Sequence, residues 1–201
     1  MTTQFTDPFV STTKFEREVS EYQKLTREYE SRGWFLVQAE FPIVFVVMAA
    51  RKPKPSPLVL GVLLDYSNYD TLPPSVRLVD PFTREPFKGS ELPTQLLRGL
   101  PMQQMQLPGL PPNAGFQIRQ AQALMQFHHP DDVPFLCIAG VKEYHEHPGH
   151  SGDAWELHRS SGAGRLVRIL EVVHRYGVDP IQDFSVTFKP EVSLQFGEPP
   201  A

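Results

Sequence analysis

The chain has 201 residues, of which 40% are hydrophobic and 11% aromatic, and this length and composition are typical of one domain with a true core. Its formal net charge of −4, with no block of Lys and Arg residues, argues against a nucleic-acid-binding surface. A single cysteine excludes an internal disulfide framework, and the longest apolar run, Ile43 to Ala50, is too short to cross a bilayer. Because the first residues also lack an apolar signal core, we expect a cytoplasmic protein without membrane contact.

The first predicted element is an amphipathic helix over residues 13–32. Residues 1–11 have the composition of a loose tail, and Thr13 and Glu16 then have the spacing of a capping box. Apolar side chains follow at intervals of three and four residues, and Gly33 is suited to the position just after a helix. The apolar stripe predicts a packing surface.

Four short segments after this helix are rich in β-branched and aromatic residues and are separated by turn-forming residues. They predict four strands in an antiparallel meander, at residues 34–42, 43–50, 58–66 and 75–79. A helix that covers one face of such a sheet gives an α+β fold. We therefore predict one α+β domain over residues 1–201.

Residues 85–125 have the composition of an insertion rich in Pro, Gln, Leu and Met. Two short helices are predicted in and beside it, at Leu92–Leu100 and Gln117–Phe127. Its flexible side chains either form a partner-binding surface or pack the insertion onto the core; the residues concerned are Met102, Met105, Leu107 and Leu110.

The end of the chain predicts one more helix and a strand. Apolar residues recur at helical spacing from Arg165 to Tyr176, and Gly177 is suited to end that helix. The alternation from Asp183 onward predicts an edge strand or pair of strands, where Pro190 is tolerated.

Between the insertion and the last helix lies a histidine-rich loop, residues 143–158, that predicts a metal site. On an extended segment His145 and His147 would face the same side and hold one ion, and the following Pro-Gly turn would bring His150 back as a third ligand. Zinc accepts such nitrogen ligands. The fourth ligand could be any of Asp153, His158, Glu143 and Cys137. The alternative is a polar surface loop whose histidines only form hydrogen bonds.

Several residue patterns resemble the ubiquitin-conjugating (UBC) fold over about residues 13–180. The segment from Tyr69 through Pro73-Pro74 to Leu78 is similar to the Tyr-Pro…Pro-Pro segment of that family, and His129-Pro130-Asp131 is similar to its His-Pro-Asn signature. The remaining matches are Cys137, Trp155 and the helix over residues 166–176. The chain departs from the family in its longer insertion, in Asp131 replacing Asn, and in the histidine-rich segment between the cysteine and the tryptophan. It resembles most the divergent bacterial proteins of ubiquitin-like operons, including those described as metal-binding.

The resemblance implies that Cys137 accepts the C-terminus of a ubiquitin-like modifier as a thioester, with His129 or Asp131 shaping the site. The implied partners are the modifier and its activating enzyme. Two observations oppose this interpretation: Cys137 lies in an apolar segment that resembles a buried strand, and an ionised Asp131 cannot donate a hydrogen bond to an oxyanion.

Two alternative functions remain. The first is a metal-dependent hydrolase, because His-x-His-Pro followed by Ser151 and Asp153 is similar to the motif of the metal-dependent (JAMM) deubiquitinases, although the spacing here is too short. The second is a non-catalytic UBC-like adaptor in which zinc only holds the loop.

Overall fold

The computed structural model describes residues 4–99 and 120–186 with their side chains, and residues 103–106 and 115–118 as backbone. Within these ranges no helix is both long and apolar enough to cross a membrane. The helices are α1 (Pro8–Gln23), α2 (Thr26–Ser31), α3 (Lys142–Glu146), α4 (Glu156–Arg159) and α5 (Leu166–Val173). The main strands are β1 (Trp34–Glu40), β2 (Ile43–Ala49), β3 (Leu58–Asp65) and β4 (Ser75–Val79).

The N-terminal helix begins five residues earlier than predicted. The Asp7 carboxylate accepts a hydrogen bond from the backbone N–H of Phe9 at 2.9 Å, and Pro8 occupies the first helical position, where its missing N–H costs nothing. Thr13, the predicted cap, lies inside the helix and donates its hydroxyl to the Phe9 carbonyl at 2.9 Å. The prediction of a loose tail through residue 11 is therefore wrong from residue 8 onward. The helix is also interrupted near Leu25, before α2 begins.

The predicted meander and the α+β class are confirmed. The four strands form one antiparallel sheet in the order β1-β2-β3-β4, and Val46 pairs with Val62, which pairs with Leu78. All residues of β2 from Val44 to Ala49 are buried, because both faces of this central strand are covered. Strands with such continuous apolar runs are typical of a sheet interior.

The main core lies between the sheet and the helices. Trp34, Tyr22 and Leu60 are fully buried there. The helix predicted from Arg165 to Tyr176 is confirmed as α5, which continues in a wider turn to Val178. Its buried residues form one stripe and comprise Leu166, Ile169, Leu170 and Val173.

The insertion contains strands where helices were predicted. Strand β5 (Leu97–Gly99) pairs with β8 (Ala121–Ala123), and β6 (Gln103–Gln106) pairs with β7 (Gly115–Ile118), all antiparallel. The predicted helices at 92–100 and 117–127 are therefore wrong. Gln and Ala residues favour a helix locally, but the backbone groups of Leu97–Gly99 and Ala121–Ala123 are paired between the two strands instead. Of the four Met and Leu side chains predicted to pack or bind a partner, none lies in the part described with side chains.

Two further short strands lead to the cysteine. They are β9 (Met125–Gln126) and β10 (Phe135–Leu136), which pair antiparallel. At the other end, residues 183–186 form no strand, and the rest of the predicted C-terminal edge strand lies outside the described residues.

Candidate functional site

Cys137 lies directly after β10, at the start of a tight turn. Its backbone N–H donates to the carbonyl of Leu124 at 2.7 Å, and the N–H of Val141 closes the turn on the carbonyl of Ile138 at 3.1 Å. The cysteine side chain is only 8% exposed. The apolar segment predicted as a buried strand is thus a two-residue strand followed by a turn that directs Cys137 towards a cavity.

This cysteine turn packs against the segment that leads into α5. A Cβ atom added to Gly140 would lie 2.0 Å from the carbonyl oxygen of Ala163, so only glycine allows the two backbones to approach this closely. The contact fixes the position of Cys137 relative to the N-terminal part of α5. It therefore forms one wall of the cavity.

The segment predicted as extended is the short helix α3. The carboxylate of Glu143 anchors this helix to β4 by accepting hydrogen bonds from the Ser75 hydroxyl and from the N–H of Val76, the latter at 3.2 Å. The helix ends at Glu146, so His145 lies inside it and His147 lies just after it, not together on one extended segment. The extended geometry assumed for His145 and His147 is therefore not observed, and their pairing around one ion stays a prediction.

His145 joins three parts of the loop. Its Nδ1 lies 2.8 Å from the carbonyl oxygen of Asp153, and its Nε2 lies 2.7 Å from the carbonyl oxygen of Ala139. Both ring nitrogens are therefore occupied by the protein backbone. This histidine holds α3 against the cysteine turn on one side and against residue 153 on the other.

The rings of His147 and His150 lie 5.5 Å apart between centroids, but their other contacts differ. His147 accepts a hydrogen bond from the N–H of Gly149 at 3.1 Å, and its ring stacks on Phe135, with 5.1 Å between the ring centroids. The Nε2 atom of His150 lies 3.5 Å from Sγ of Cys137, and its ring stacks on Tyr144 at 4.0 Å. Only His150 contacts the thiol.

Asp153 organises the side of the loop next to His150. Its carboxylate accepts a hydrogen bond from the Tyr144 hydroxyl at 2.6 Å and lies 2.5 Å from Nε2 of His158. These two contacts lower the pKa of Asp153, and the hydrogen bond to its carboxylate raises the pKa of Tyr144 to about 12. The carboxylate thereby orients the ring on which His150 stacks.

The predicted zinc ligands do not converge. His145, His147 and Asp153 each direct donor atoms at protein groups. In the part of the chain that the structure describes, no three side chains among His, Cys, Asp and Glu are placed to hold one metal ion. A structural zinc site needs four such donors around one point. The described side chains do not present such a group, and the zinc site stays a prediction.

Cys137 and His150 line a cavity of about 360 Å³. Tyr144 and His158 form another part of its wall, and the remaining polar lining residues are Arg98, Gln122 and Arg168. Burial raises the pKa of the Cys137 thiol, and the nearby positive charge of Arg98 offsets part of this effect. At neutral pH the thiol therefore needs a base to become a nucleophile.

His129 and Asp131 are placed outside the lining of this cavity. The backbone N–H of His129 donates to the Asp132 carboxylate at 2.8 Å, and the Asp131 side chain is 86% exposed, 3.6 Å from Lys88. The structure therefore does not bring the resembling His-Pro-Asp element to the thiol.

Three residues of the cavity were missed by sequence reasoning. Arg98 lies on β5, in a segment predicted as helix, and Arg168 lies on the polar side of α5. Gln122 lies opposite Arg98 on β8, also in a segment predicted as helix. No sequence motif marked them, because they reach the cavity only when the hairpin, the loop and α5 pack together.

Comparison with known proteins gives two matches. The model of the family described as "Y4jH-like: Y4jH family" matches residues 6–181. The "Uncharacterized protein y4jH" of Sinorhizobium fredii is 40% identical over 188 residues, which cover 91% of this chain and 89% of that protein. Both matches span the cavity and all the residues that line it.

Proposed function

This chain belongs to the Y4jH-like family, and we propose that it is an acyl-transfer protein in which Cys137 accepts the C-terminus of a ubiquitin-like modifier as a thioester. The observation that carries this proposal is the 3.5 Å contact between Sγ of Cys137 and Nε2 of His150 at the wall of a cavity. A nucleophilic thiol with a base at hydrogen-bond reach is the arrangement that acyl transfer requires.

The transfer step follows from these two side chains. His150 takes the proton of the thiol, and Sγ attacks the carbonyl carbon of the incoming thioester. The new bond to Sγ forms, the bond to the donor sulfur breaks, and the proton passes from His150 to the departing thiolate. The guanidinium of Arg98 is close enough to Cys137 to act on its pKa, and a positive charge there stabilises the tetrahedral oxyanion.

The resemblance to conjugating enzymes supports the choice of substrate. The helix, the four-stranded meander and the later helix occur in the order expected for a UBC-like protein. On this proposal the partners are a ubiquitin-like modifier and its activating enzyme in the bacterial cytoplasm. The positions of His129 and Asp131 depart from that family, so in this chain oxyanion stabilisation is assigned to Arg98.

A defined thioester tests the proposal without knowledge of the modifier. The probe is a peptide ending in Gly-Gly and activated as its 2-mercaptoethanesulfonate thioester. Because Cys137 is the only cysteine, intact mass spectrometry reports acylation of one site. We expect an adduct that dithiothreitol removes. Cys137→Ser should give a dithiothreitol-resistant ester or nothing, Cys137→Ala should give no adduct, and His150→Gln should react more slowly.

The low exposure of Cys137 favours a second candidate, a non-catalytic adaptor of the same pathway. A thiol that is only 8% exposed is typical of structural cysteines. If the folded wild-type chain forms no reducible adduct while a free-cysteine peptide does in the same tube, the acyl-transfer proposal is wrong and the adaptor is preferred.

A further inference from the structure

The cavity at Cys137 carries positive charge without a matching negative one. Arg98 and Arg168 line it together with His150 and His158, and no Asp or Glu is among its lining residues within the described part of the chain. The positive charge of the cavity lining differs in sign from the net charge of the whole chain, which is −4. A concave, positively charged site in an acidic protein is typical of a site for an anion.

Among the residues that the structure describes, both guanidinium groups have neutral hydrogen-bond partners. Arg98 donates to Oε1 of Gln122, and Arg168 donates to the carbonyl oxygen of Ser161 at 3.2 Å. Elsewhere in the described residues arginines do find carboxylates: Arg32 contacts Glu171 at 2.7 Å, and Arg159 contacts Asp70 at 2.9 Å. The two arginines of the cavity therefore keep donor groups for a ligand.

The carboxylate of Asp153 has its own partners in the same part of the structure. One of its oxygens accepts a hydrogen bond from the Tyr144 hydroxyl, and the other lies 2.5 Å from Nε2 of His158. Each oxygen is thus engaged by a side chain other than the two arginines. Arg98 is half-buried and Arg168 is exposed, and both line the cavity.

We propose that Arg98 and Arg168 bind a carboxylate or phosphate group of the substrate beside the Cys137 thiol. Guanidinium groups bind both anions through paired N–H donors, and a partly enclosed cavity strengthens the attraction. The anion-binding site stands on the cavity alone. Its consequence for the substrate rests on the proposed acyl transfer: the acyl donor carries a negative charge close to its reacting carbonyl.

Two alkylating reagents that differ in charge test the site. Iodoacetate and iodoacetamide react with the same thiol by the same displacement of iodide, but only iodoacetate carries a carboxylate. We measure the ratio of their rates with Cys137 in the folded chain and divide it by the ratio in the urea-unfolded chain. An anion site should raise this ratio by about tenfold, because two nearby positive charges attract the reagent in a partly screened cavity.

Variants assign the effect to the two arginines. Arg98→Gln and Arg168→Gln should each return the ratio toward one, whereas Arg98→Lys should retain part of it. Arg165→Gln is the matched control, because Arg165 is also an exposed arginine near α5 but does not line this cavity. Circular dichroism shows whether each variant is folded. A ratio near one in the folded wild type would overturn the proposal, as would an equal fall of the ratio in Arg165→Gln.

Two ions distinguish the possible ligand groups. Acetate and inorganic phosphate are added separately, and protection of Cys137 from iodoacetamide is measured. Protection by acetate alone identifies a carboxylate site, protection by phosphate identifies a phosphate site, and protection by neither contradicts the proposal.

The same data separate this inference from the proposed function. A raised iodoacetate ratio without peptide adduct formation keeps the anion site and rejects acyl transfer. Adduct formation with a ratio near one rejects the anion site and keeps acyl transfer.

Discussion

Gly140 is the position where a single methyl group should disturb the candidate site most. A Cβ atom there would lie 2.0 Å from the carbonyl oxygen and 2.5 Å from the carbonyl carbon of Ala163. Ordinary contacts begin at 3.4 Å, so in Gly140→Ala the two backbone segments would have to separate by about 1.4 Å. Neither clashing atom belongs to a side chain that could rotate away.

Overpacking of this kind costs about 1–3 kcal/mol when side chains can adjust, and a backbone clash should lie at the upper end. We expect Gly140→Ala to lower the free energy of unfolding by about 3 kcal/mol. For a chain of this length that corresponds to a fall in Tm of about 6–12 °C. The separation would also move Cys137 relative to Arg168, so its alkylation rate should change together with the stability.

The assay is thermal unfolding followed by circular dichroism, with urea titration as a second measure. Gly152→Ala is the control, because a Cβ atom at Gly152 meets no atom within 4 Å although the residue lies in the same histidine-rich loop. Its Tm should stay within about 1 °C of the wild type. If Gly140→Ala unfolds at the same temperature as Gly152→Ala, the close packing of the cysteine turn against residue 163 is refuted.

Three further changes test other contacts. Burial lowers the pKa of His174, so the folded chain binds fewer protons there than the unfolded chain, and stability should fall as pH drops below about 6.5. His174→Gln should flatten that part of a plot of urea midpoint against pH. An unchanged plot would contradict the burial of His174. Glu18→Ala removes the carboxylate that accepts a hydrogen bond from the N–H of Leu166 at 3.0 Å and so caps the start of α5. The free energy of unfolding in urea should fall by about 1–2 kcal/mol. A fall below about 0.5 kcal/mol, which is ordinary for surface changes, would refute this capping role. Asp153→Asn should return the pKa of Tyr144 from about 12 toward 10, measured by ultraviolet titration against Tyr144→Phe, and no change would exclude the hydrogen bond.

The sheet and the two long helices were predictable because their signals are local and agree with each other. β-branched runs separated by turns fixed the four strands, and helical spacing of apolar residues located α5. The start of α1 was missed although the sequence contains its signal: Asp7 before Pro8 is a standard helix beginning, and the capping-box spacing at Thr13 was preferred to it. The predicted start of the helix was therefore too late because the later of two local signals was chosen.

The helix prediction in the insertion was wrong for a different reason. Residues 117–127 are rich in Gln, Ala, Leu and Met, which favour a helix when considered alone. Their N–H groups are instead satisfied partly by strand β5, which lies more than twenty residues earlier in the chain. A pairing between distant segments leaves no periodic pattern in either one, so single-sequence reasoning selects the local alternative.

The partners of the individual histidines in the histidine-rich loop could not be predicted from the sequence. Counting donors suggested one metal centre, but each histidine has a different partner once α3 forms and the chain turns back at Pro148. His145 is bound by two backbone carbonyls, His147 stacks on Phe135, and His150 reaches the thiol. The last contact joins two residues that are thirteen positions apart, so the chain between them must fold back, which spacing alone cannot reveal.

That division of roles has a physical consequence for the thiol. Because His145 joins the carbonyl oxygens of residues 139 and 153, the cysteine turn and the Asp153 side of the loop are held at a fixed separation. Tyr144 and His150 stack within this frame, and the imidazole of His150 is therefore positioned by packing as well as by its own backbone. In the proposed mechanism this packing orients His150 as the base, and the two arginines that line the same cavity supply positive charge for the proposed anionic substrate.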